Sequence, residues 1–398
     1  MNTHLSEAAR RIPVRGAYDV IVAGGGIAGV AAAVAAARDG ASVCLLEKAY
    51  ALGGLATLGL VIAYLPLCDG RGHRVSTGLA EELLLLSTRD GSAAPPACWQ
   101  PGGDRELRTQ QRYFVEYNAA SYLLALERFV SDHGVALLYD VRVVGVHRRR
   151  HRLDAVIIES KSGREAIACR AAVDATGDAD LCHFAGEHTV SLSTNSAAGW
   201  YYATGPAGPR LHKLYQPFDP AGERVPPGVE RGYAGDAPEE VTAHLLASRR
   251  MIRDHLDALR AAAPEAPVHP LLLPTFPGFR MTRRLAAAVE MDAEDRREYP
   301  DSIGLIGNWR SPGPVYSIPL RALQGVACAN LFAAGRCISA RRHGWDMTRV
   351  IPACALTGEA AGAAAALCAH RRAVRIDALQ ARLLARGVKI RMAQIEEP

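Results

Sequence analysis

The sequence lacks the cysteine spacings that would indicate a metal site or a disulfide framework. Its nine cysteines include no CxxC pair and no Cys/His ligand spacing, and no CxxxxC pair follows the first glycine-rich turn. These absences argue against an iron–sulfur cluster, structural zinc and a disulfide-reductase mechanism. We therefore expect reduced thiols, a cytoplasmic location and no bound metal.

Basic residues are too scattered to indicate a nucleic-acid surface. The formal net charge is +5, and the densest basic runs, 148–152 and 341–342, are short and lack interleaved aromatics. A solvated face is the better interpretation of such runs. The sequence thus predicts no nucleic-acid partner.

Membrane and secretory patterns are also missing. The first seventeen residues are polar and basic without an apolar core, so we predict a tail there and no signal peptide. The apolar run from Val20 to Ala37 is long enough to suggest a membrane helix. However, it begins like a β-strand and holds four glycines early, and we predict no membrane partner.

A glycine-rich turn is the clearest positive signal. The β-branched run 18–23 (YDVIVA) precedes 24–29 (GGGIAG), and strong helix formers occupy 31–38. Strand, glycine-rich turn and helix in this order are typical of a dinucleotide-binding unit. The N-terminus of the helix, where Ile27 and Ala28 stand, would offer free N–H groups to phosphates.

The three glycines of the motif have separate expected roles. Gly24 permits the tight turn, Gly26 removes the Cβ that would block a pyrophosphate, and Gly29 lets the helix approach the strand. A second strand over 41–46 ends in Glu47, which is placed to accept hydrogen bonds from a ribose diol, and Lys48 follows as a further candidate contact. The motif alone does not distinguish FAD from NAD.

Four further segments carry a family resemblance. They are 51–60 (ALGGLATLGL), 173–180 (VDATGDAD), 280–284 (RMTRR) and the run 330–362, which begins NLFAAGR and ends GEAAG. With the glycine motif, they resemble the FAD-dependent oxidoreductases of the glutathione-reductase-like superfamily, in particular a bacterial FAD-dependent oxidoreductase family. The resemblance implies FAD as the cofactor and an α/β fold, in which a Rossmann-like FAD-binding domain with a β-meander carries an inserted α+β substrate or cap domain.

The resemblance divides the chain into alternating segments. The expected FAD-binding segments are 18–64, 115–185 and 325–372, the substrate or cap segments are 65–114 and 186–324, and 373–398 is a C-terminal tail. Within them we predict a helix over 119–133, strands over 135–146 and 153–159, a loop over most of 203–237 and an amphipathic helix over 243–263.

The resemblance also implies further FAD contacts. Gly53 and Gly54 would let the backbone pass the pyrophosphate and ribityl chain, with the Thr57 hydroxyl as a partner. A strand-end motif would place Thr176 and Gly177 over the cofactor.

The C-terminal part of the resemblance predicts a second strand end and a helix. Gly335 and Arg336 would follow a buried strand, although Arg336 stands where the wider superfamily usually has an acid, which leaves its ribityl contact open. A helix capped by Thr357 and continued by Gly358 would point its N-terminus at the flavin pyrimidine and stabilise its reduced, anionic form.

Catalytic candidates lie in the loop 339–349, between the expected flavin strand and flavin helix. His343 is the natural acid or base, unless it is simply exposed. Arg349 is expected to hold the flavin C2 carbonyl or a substrate carboxylate, with a structural ion pair to Asp346 as the alternative. Tyr202, Tyr316 and Trp345 are candidate substrate contacts, with core packing, the more frequent role of scattered aromatics, as the alternative.

These observations favour a flavin dehydrogenase or oxidase that takes hydride from a C–H next to an alcohol or amine of a small polar metabolite. A second glycine motif after a strand is absent, so electrons would come from that substrate and pass to oxygen or another carrier. The alternatives are a reductase of a C=C or C=N bond, a flavin monooxygenase, and a flavin-bearing subunit or sensor without turnover. A homo-oligomer is compatible with the sequence.

Overall fold

The computed structural model describes residues 7, 9, 11–91, 93–371 and 373–395. Its α-helices, in chain order, are α1 Ile27–Arg38, α2 Leu79–Arg89, α3 Ala119–Asp132, α4 Asp180–Phe184, α5 Pro238–Ala262, α6 Arg342–Thr348, α7 Ile351–Arg371 and α8 Ile376–Ala385. Its strands are β1 Val14–Ala23, β2 Val43–Leu46, β3 Ala63–Tyr64, β4 Val115–Glu116, β5 Ala136–Leu138, β6 Arg142–Arg149, β7 Arg152–Ser160, β8 Gly163–Asp174, β9 Thr189–Ser191, β10 Ala198–Gly205, β11 Gly208–Tyr215, β12 His269–Leu272, β13 Arg283–Leu285, β14 Ser302–Gly307, β15 Val315–Pro319 and β16 Leu331–Ala333.

The main sheet has seven strands and joins a parallel layer to an antiparallel meander. Its order is β5-β2-β1-β8-β7-β6, and β16 pairs with the second half of β8. Strand β8 runs parallel to β1 and β16, whereas its first half pairs antiparallel with β7. This arrangement confirms the predicted α/β fold with a Rossmann-like core and a β-meander.

Two small-residue helices, α1 and α7, pack against each other beside this sheet. A Cβ added at Gly358 would lie 2.2 Å from the carbonyl oxygen of Ala28, and one at Gly362 would lie 2.1 Å from that of Ala32. These glycines therefore allow the two backbones to approach closely. Of the helices in the described ranges, α7 alone is long and apolar enough to cross a membrane, but 89% of its most apolar window is buried inside the protein, as in a core helix.

The segment 186–324, predicted as a substrate or cap domain and called here the substrate-side lobe, contains a three-stranded antiparallel sheet, in the order β11-β10-β12, and the long helix α5. The prediction of a loop over most of 203–237 was therefore wrong for its first part, because β10 and β11 form a hairpin there. Pro209 belongs to β11, an edge strand, where a missing N–H costs no hydrogen bond within the sheet. Its proline and glycine content had suggested a loop.

Helix boundaries differ from the predicted ones at two places. Helix α5 begins at Pro238, five residues before the predicted start at residue 243. Helix α7 begins at Ile351, so the prediction that Thr357 caps it was wrong. In both helices a proline stands in the first turn, where its missing N–H is tolerated.

Candidate active site

A deep cleft opens at the carboxyl ends of β1, β2 and β8. It occupies about 980 Å³ including its mouth. The predicted contacts that line it are Gly24, Gly26, Ile27, Ala28, Glu47, Lys48, Gly53, Gly54, Thr176, Gly177, Gly335, Arg336 and Arg349. We call it the cofactor cleft.

The glycine-rich turn is shaped by close contacts on two sides and open space on the third. Gly24 has a φ of +97°, and a Cβ on Gly29 would lie 1.8 Å from the carbonyl oxygen of Gly24. A Cβ on Gly26, in contrast, would meet no protein atom within 4 Å. Gly26 thus faces the cleft and leaves room for a ligand at the N-terminus of α1, where backbone N–H groups favour phosphate.

Glu47 connects the end of β2 to this turn. Its carboxylate is buried and accepts hydrogen bonds from the backbone N–H of Gly25 at 2.6 Å and of Ala49 at 2.7 Å. The side chain lines the cleft together with the glycines. A carboxylate that is bonded to the glycine-rich turn and lines the same cleft fits the ribose of an ADP group.

Four other predicted residues support the cleft from behind. The Thr57 hydroxyl donates to the carbonyl of Leu52 at 2.5 Å and is buried. The Thr357 hydroxyl accepts the N–H of Gly335 at 3.0 Å. Gly29 and Gly358 lie where helix α1 meets backbone of its neighbours. None of the four is among the residues that line the cleft in the described structure, so their effect is on its shape.

The beginning of α7 contributes to the cleft wall in place of Thr357. Ile351 and Cys354, in the first turn of the helix, line the cleft beside Arg349. The positive end of the helix dipole therefore lies at the cleft, as the resemblance implied, but the helix begins at Ile351 rather than at Thr357.

Sequence reasoning did not assign several other residues of the cleft wall. Val141, Arg142 and Val143 come from the start of the meander, and Phe276 from the substrate-side lobe, none of which carries a local motif. Asp180 also lines the cleft, and sequence reasoning left it open between a direct cofactor contact and a turn or cap residue. Burial, followed by the neighbouring carboxylates Asp178 and Asp174, raises the pKa of Asp180 to about 6.

A second cleft of about 1420 Å³ adjoins the first, and we call it the substrate cleft. The two clefts share six lining residues, namely Leu55, Ala56, Phe276, Arg336, Arg349 and Ile351. Aromatic side chains of the substrate cleft are Trp200, Tyr215, Phe218, Phe276, Phe279 and Trp309. A ligand in this cleft would therefore adjoin a cofactor in the other.

One wall of the substrate cleft carries an arginine cluster, defined as Arg280, Arg310 and Arg349. The buried carboxylate of Asp346 accepts hydrogen bonds from Arg310 Nε at 2.5 Å and from Arg349 Nη2 at 2.5 Å. Burial alone would raise the pKa of Asp346, but Arg349 and Arg310 outweigh it and hold the pKa below its usual value. Arg349 thus forms the predicted ion pair to Asp346 and also lines both clefts, while its contact with flavin or substrate stays a prediction.

The other catalytic and substrate candidates lie elsewhere. His343 is exposed on α6 and lies outside both cleft walls as the structure describes them. Trp345 is buried, and its Nε1–H donates to the carbonyl of Arg336 at 2.9 Å. Tyr316 is buried and accepts a hydrogen bond from Asn308, and Tyr202 is half-buried on β10. The structure therefore brings only Arg349 of the predicted loop to the site.

Comparison with known proteins agrees with this geometry. The family described as FAD dependent oxidoreductase matches residues 19–198 and 208–383. The p-nitrophenol 4-monooxygenase PnpA from Pseudomonas putida has the same fold, with a TM-score of 0.50 and 11% identity over 93% of this chain and 84% of that one.

Two other solved structures are more distant. A geranylgeranyl bacteriochlorophyll reductase-like protein from Thermoplasma acidophilum gives a TM-score of 0.45 and 14% identity over 94% of this chain and 82% of that one. The flavin-dependent monooxygenase PieE, determined in complex with FAD and substrate, gives a TM-score of 0.43 and 12% identity over 84% of this chain and 56% of that one.

Proposed function

The chain belongs to the FAD-dependent oxidoreductase family, and from that premise we propose that it is a dehydrogenase or oxidase of a small metabolite. It would take hydride from a C–H next to an alcohol or amine, and bound FAD would supply the hydride acceptor. The observation that carries the proposal is the substrate cleft, which opens into the cofactor cleft along six shared residues.

The architecture of the substrate-side lobe supports the substrate as the source of electrons. Its described strands β10, β11 and β12 are antiparallel and pack with the long helix α5. A second nucleotide-binding unit would instead need parallel strands joined by helices. We propose that reoxidation is by oxygen or another carrier, and that the enzyme acts in the cytoplasm.

Side chains at the junction of the clefts have two proposed roles. Leu55 and Phe276 give the junction apolar walls that limit water. Arg349 and the N-terminus of α7 place positive charge beside it, which favours a cofactor that gains negative charge on reduction. His343 does not line the substrate cleft. We propose that Tyr215, a titratable lining residue other than the arginines, contacts the substrate in its place.

Anaerobic reduction of the bound flavin tests this function. The FAD-loaded protein is mixed without oxygen with a panel of polyols, hydroxy acids, amines and amino acids, and flavin absorbance is followed. We expect at least one compound to bleach the flavin faster than NADH or NADPH does. Bleaching by a nicotinamide nucleotide alone would contradict the proposal and favour the reductase or monooxygenase alternatives.

A further inference from the structure

We propose that the arginine cluster of the substrate cleft binds the carboxylate of an organic acid whose apolar body lies against the apolar lining of the same cleft. The inference rests on the proposed function in one respect, since it takes this cleft to be where the substrate binds. It adds the chemical class of that substrate, which the sequence raised only as one of the alternatives for Arg349.

The cluster holds more positive charge than its surroundings neutralise. The three guanidinium groups surround the Phe218 ring, with Cζ of Arg280 at 4.1 Å and Cζ of Arg310 and Arg349 each at 5.5 Å from its centroid. Asp346 is the carboxylate bonded to Arg310 and Arg349. Three positive charges thus share one negative charge, and an anion entering the cleft would reduce their mutual repulsion.

Arg280 points most directly to a missing anionic partner. Its Nη1 is buried and has no hydrogen-bond partner among the described residues. Burial, and then the charge of Arg349, lowers the pKa of Arg280 to about 9. A buried donor of a charged group is costly to leave unpaired. A carboxylate bound at this nitrogen would satisfy the donor and stabilise the charged guanidinium.

The rest of the cleft indicates what the carboxylate is attached to. Val61, Leu65, Trp200 and Phe276 line the cleft as apolar side chains. Such a wall favours burial of an alkyl or aryl group rather than a freely hydrated polyol. The cleft therefore fits an amphipathic acid, with its carboxylate at the arginine cluster and its carbon skeleton on the apolar side.

Calorimetric titration of the FAD-loaded protein with benzoate, benzamide and phenyl phosphate tests the proposal. Benzoate is the probe of the class, benzamide has the same shape without charge, and phenyl phosphate has a different anionic group. We expect benzoate to bind at least tenfold more tightly than benzamide and more tightly than phenyl phosphate. Equal binding of benzoate and benzamide, or tighter binding of phenyl phosphate, would overturn the proposed class.

Substitution at the cluster provides the second arm. Arg280→Gln should weaken benzoate binding at least tenfold and leave benzamide binding unchanged, with flavin content checked by its absorbance. The matched control is Arg250→Gln, at an exposed position on α5 outside both clefts, which should bind benzoate as the unmodified protein does. If Arg280→Gln loses flavin, Arg310→Gln replaces it. Unchanged benzoate affinity in a flavin-loaded variant would refute the role of the cluster.

These measurements separate the two proposals. Binding is read without turnover, so an acid that binds at the cluster but never bleaches the flavin would remove the proposed reaction and keep the proposed ligand class. If a neutral polyol bleaches the flavin and benzoate binds no more tightly than benzamide, the proposed reaction stands and the proposed ligand class is wrong.

Discussion

The cofactor cleft and the substrate cleft share six residues but are built from different chemistry. In the first, glycine backbone and the ends of parallel strands create the space, and Gly26 leaves it open by having no side chain. In the second, long side chains from separate segments create it, and a buried carboxylate holds two of three arginines. A cleft shaped by backbone accepts one cofactor. In a cleft shaped by side chains, single substitutions can change which ligand binds.

Two glycine substitutions sharpen this contrast, and the largest effect is expected for Gly26→Val. Because a Cβ there would meet no protein atom within 4 Å, we expect the apoprotein to keep its thermal stability and to bind FAD more than a hundredfold more weakly. The control is Gly29→Ala, whose Cβ would collide with the carbonyl of Gly24 and so lower the melting temperature itself. Melting curves and FAD titrations compare them. Normal FAD affinity of Gly26→Val would disprove the placement of the pyrophosphate.

Asp346→Asn should destabilise the arginine cluster of the substrate cleft without loss of bound FAD. Removing the carboxylate leaves Arg310 and Arg349 facing each other without compensation. We expect a loss of about 2 kcal/mol in unfolding free energy, below the range for fully buried pairs because the Arg310 side chain is 36% exposed. Urea denaturation measures the loss, and FAD content should stay normal. A variant as stable as the unmodified protein would show that the ion pairs contribute little.

Glu359 is a buried acidic residue that lines neither cleft in the described structure. Its carboxylate is buried on α7, accepts the N–H of Leu79 at 2.7 Å, and has a pKa raised to about 7, chiefly by burial. Since this pKa lies above the ordinary value of about 4.5, the native state binds more protons than the unfolded state does between pH 4.5 and about pH 7. Unfolding free energy should therefore fall as pH rises from about 4.5 to 7.

The variant Glu359→Gln tests that pH dependence. It keeps an acceptor for Leu79 without a charge, so it should flatten the pH profile and be more stable than the unmodified protein at pH 8, on the order of 1.5 kcal/mol. Denaturation at several pH values measures this, with the exposed Glu239→Gln on α5 as a control. Parallel pH profiles for the unmodified protein and Glu359→Gln would contradict the assignment.

The smallest effect is expected at His343, which belongs to neither cleft. The side chain is exposed on α6, so His343→Gln should change the rate of flavin reduction by less than about twofold, whereas a general base would change it a hundredfold. Rapid mixing with a substrate found in the anaerobic panel gives the rate. A hundredfold loss would restore His343 as the base.

Local pattern accounts for the part of the site that sequence could predict. Gly24, Gly26 and Glu47 follow one another in a strand, turn and strand, so their positions are set by short-range geometry. The family resemblance predicted Gly53, Gly54, Thr176, Gly177 and Gly335 as FAD contacts, and all five line the same cleft. The start of α7 was misplaced because the Thr357 hydroxyl was interpreted as its cap, although the helix begins at Ile351 and proline fits its first turn.

The arginine cluster could not have been predicted in this way. Phe218, Arg280, Arg310 and Asp346 lie in segments far apart in the chain, and no spacing within any one segment signals their contact. Arg280 stood in a segment that carried the family resemblance, but without a role. Only the packing of the substrate-side lobe on α6 brings these side chains together.

Because of where the cysteines lie, unfolding of the chain can be followed by chemical modification of their thiols. All nine are free thiols, eight of them buried, and the half-buried Cys354 lies in the cofactor cleft. Burial raises the pKa of Cys354 to about 11 and that of Cys44 to about 12, and thiolate is the form that reacts with alkylating reagents. Modification by such reagents should therefore follow the opening of the chain, and the number of labels per molecule would record how much of it has opened.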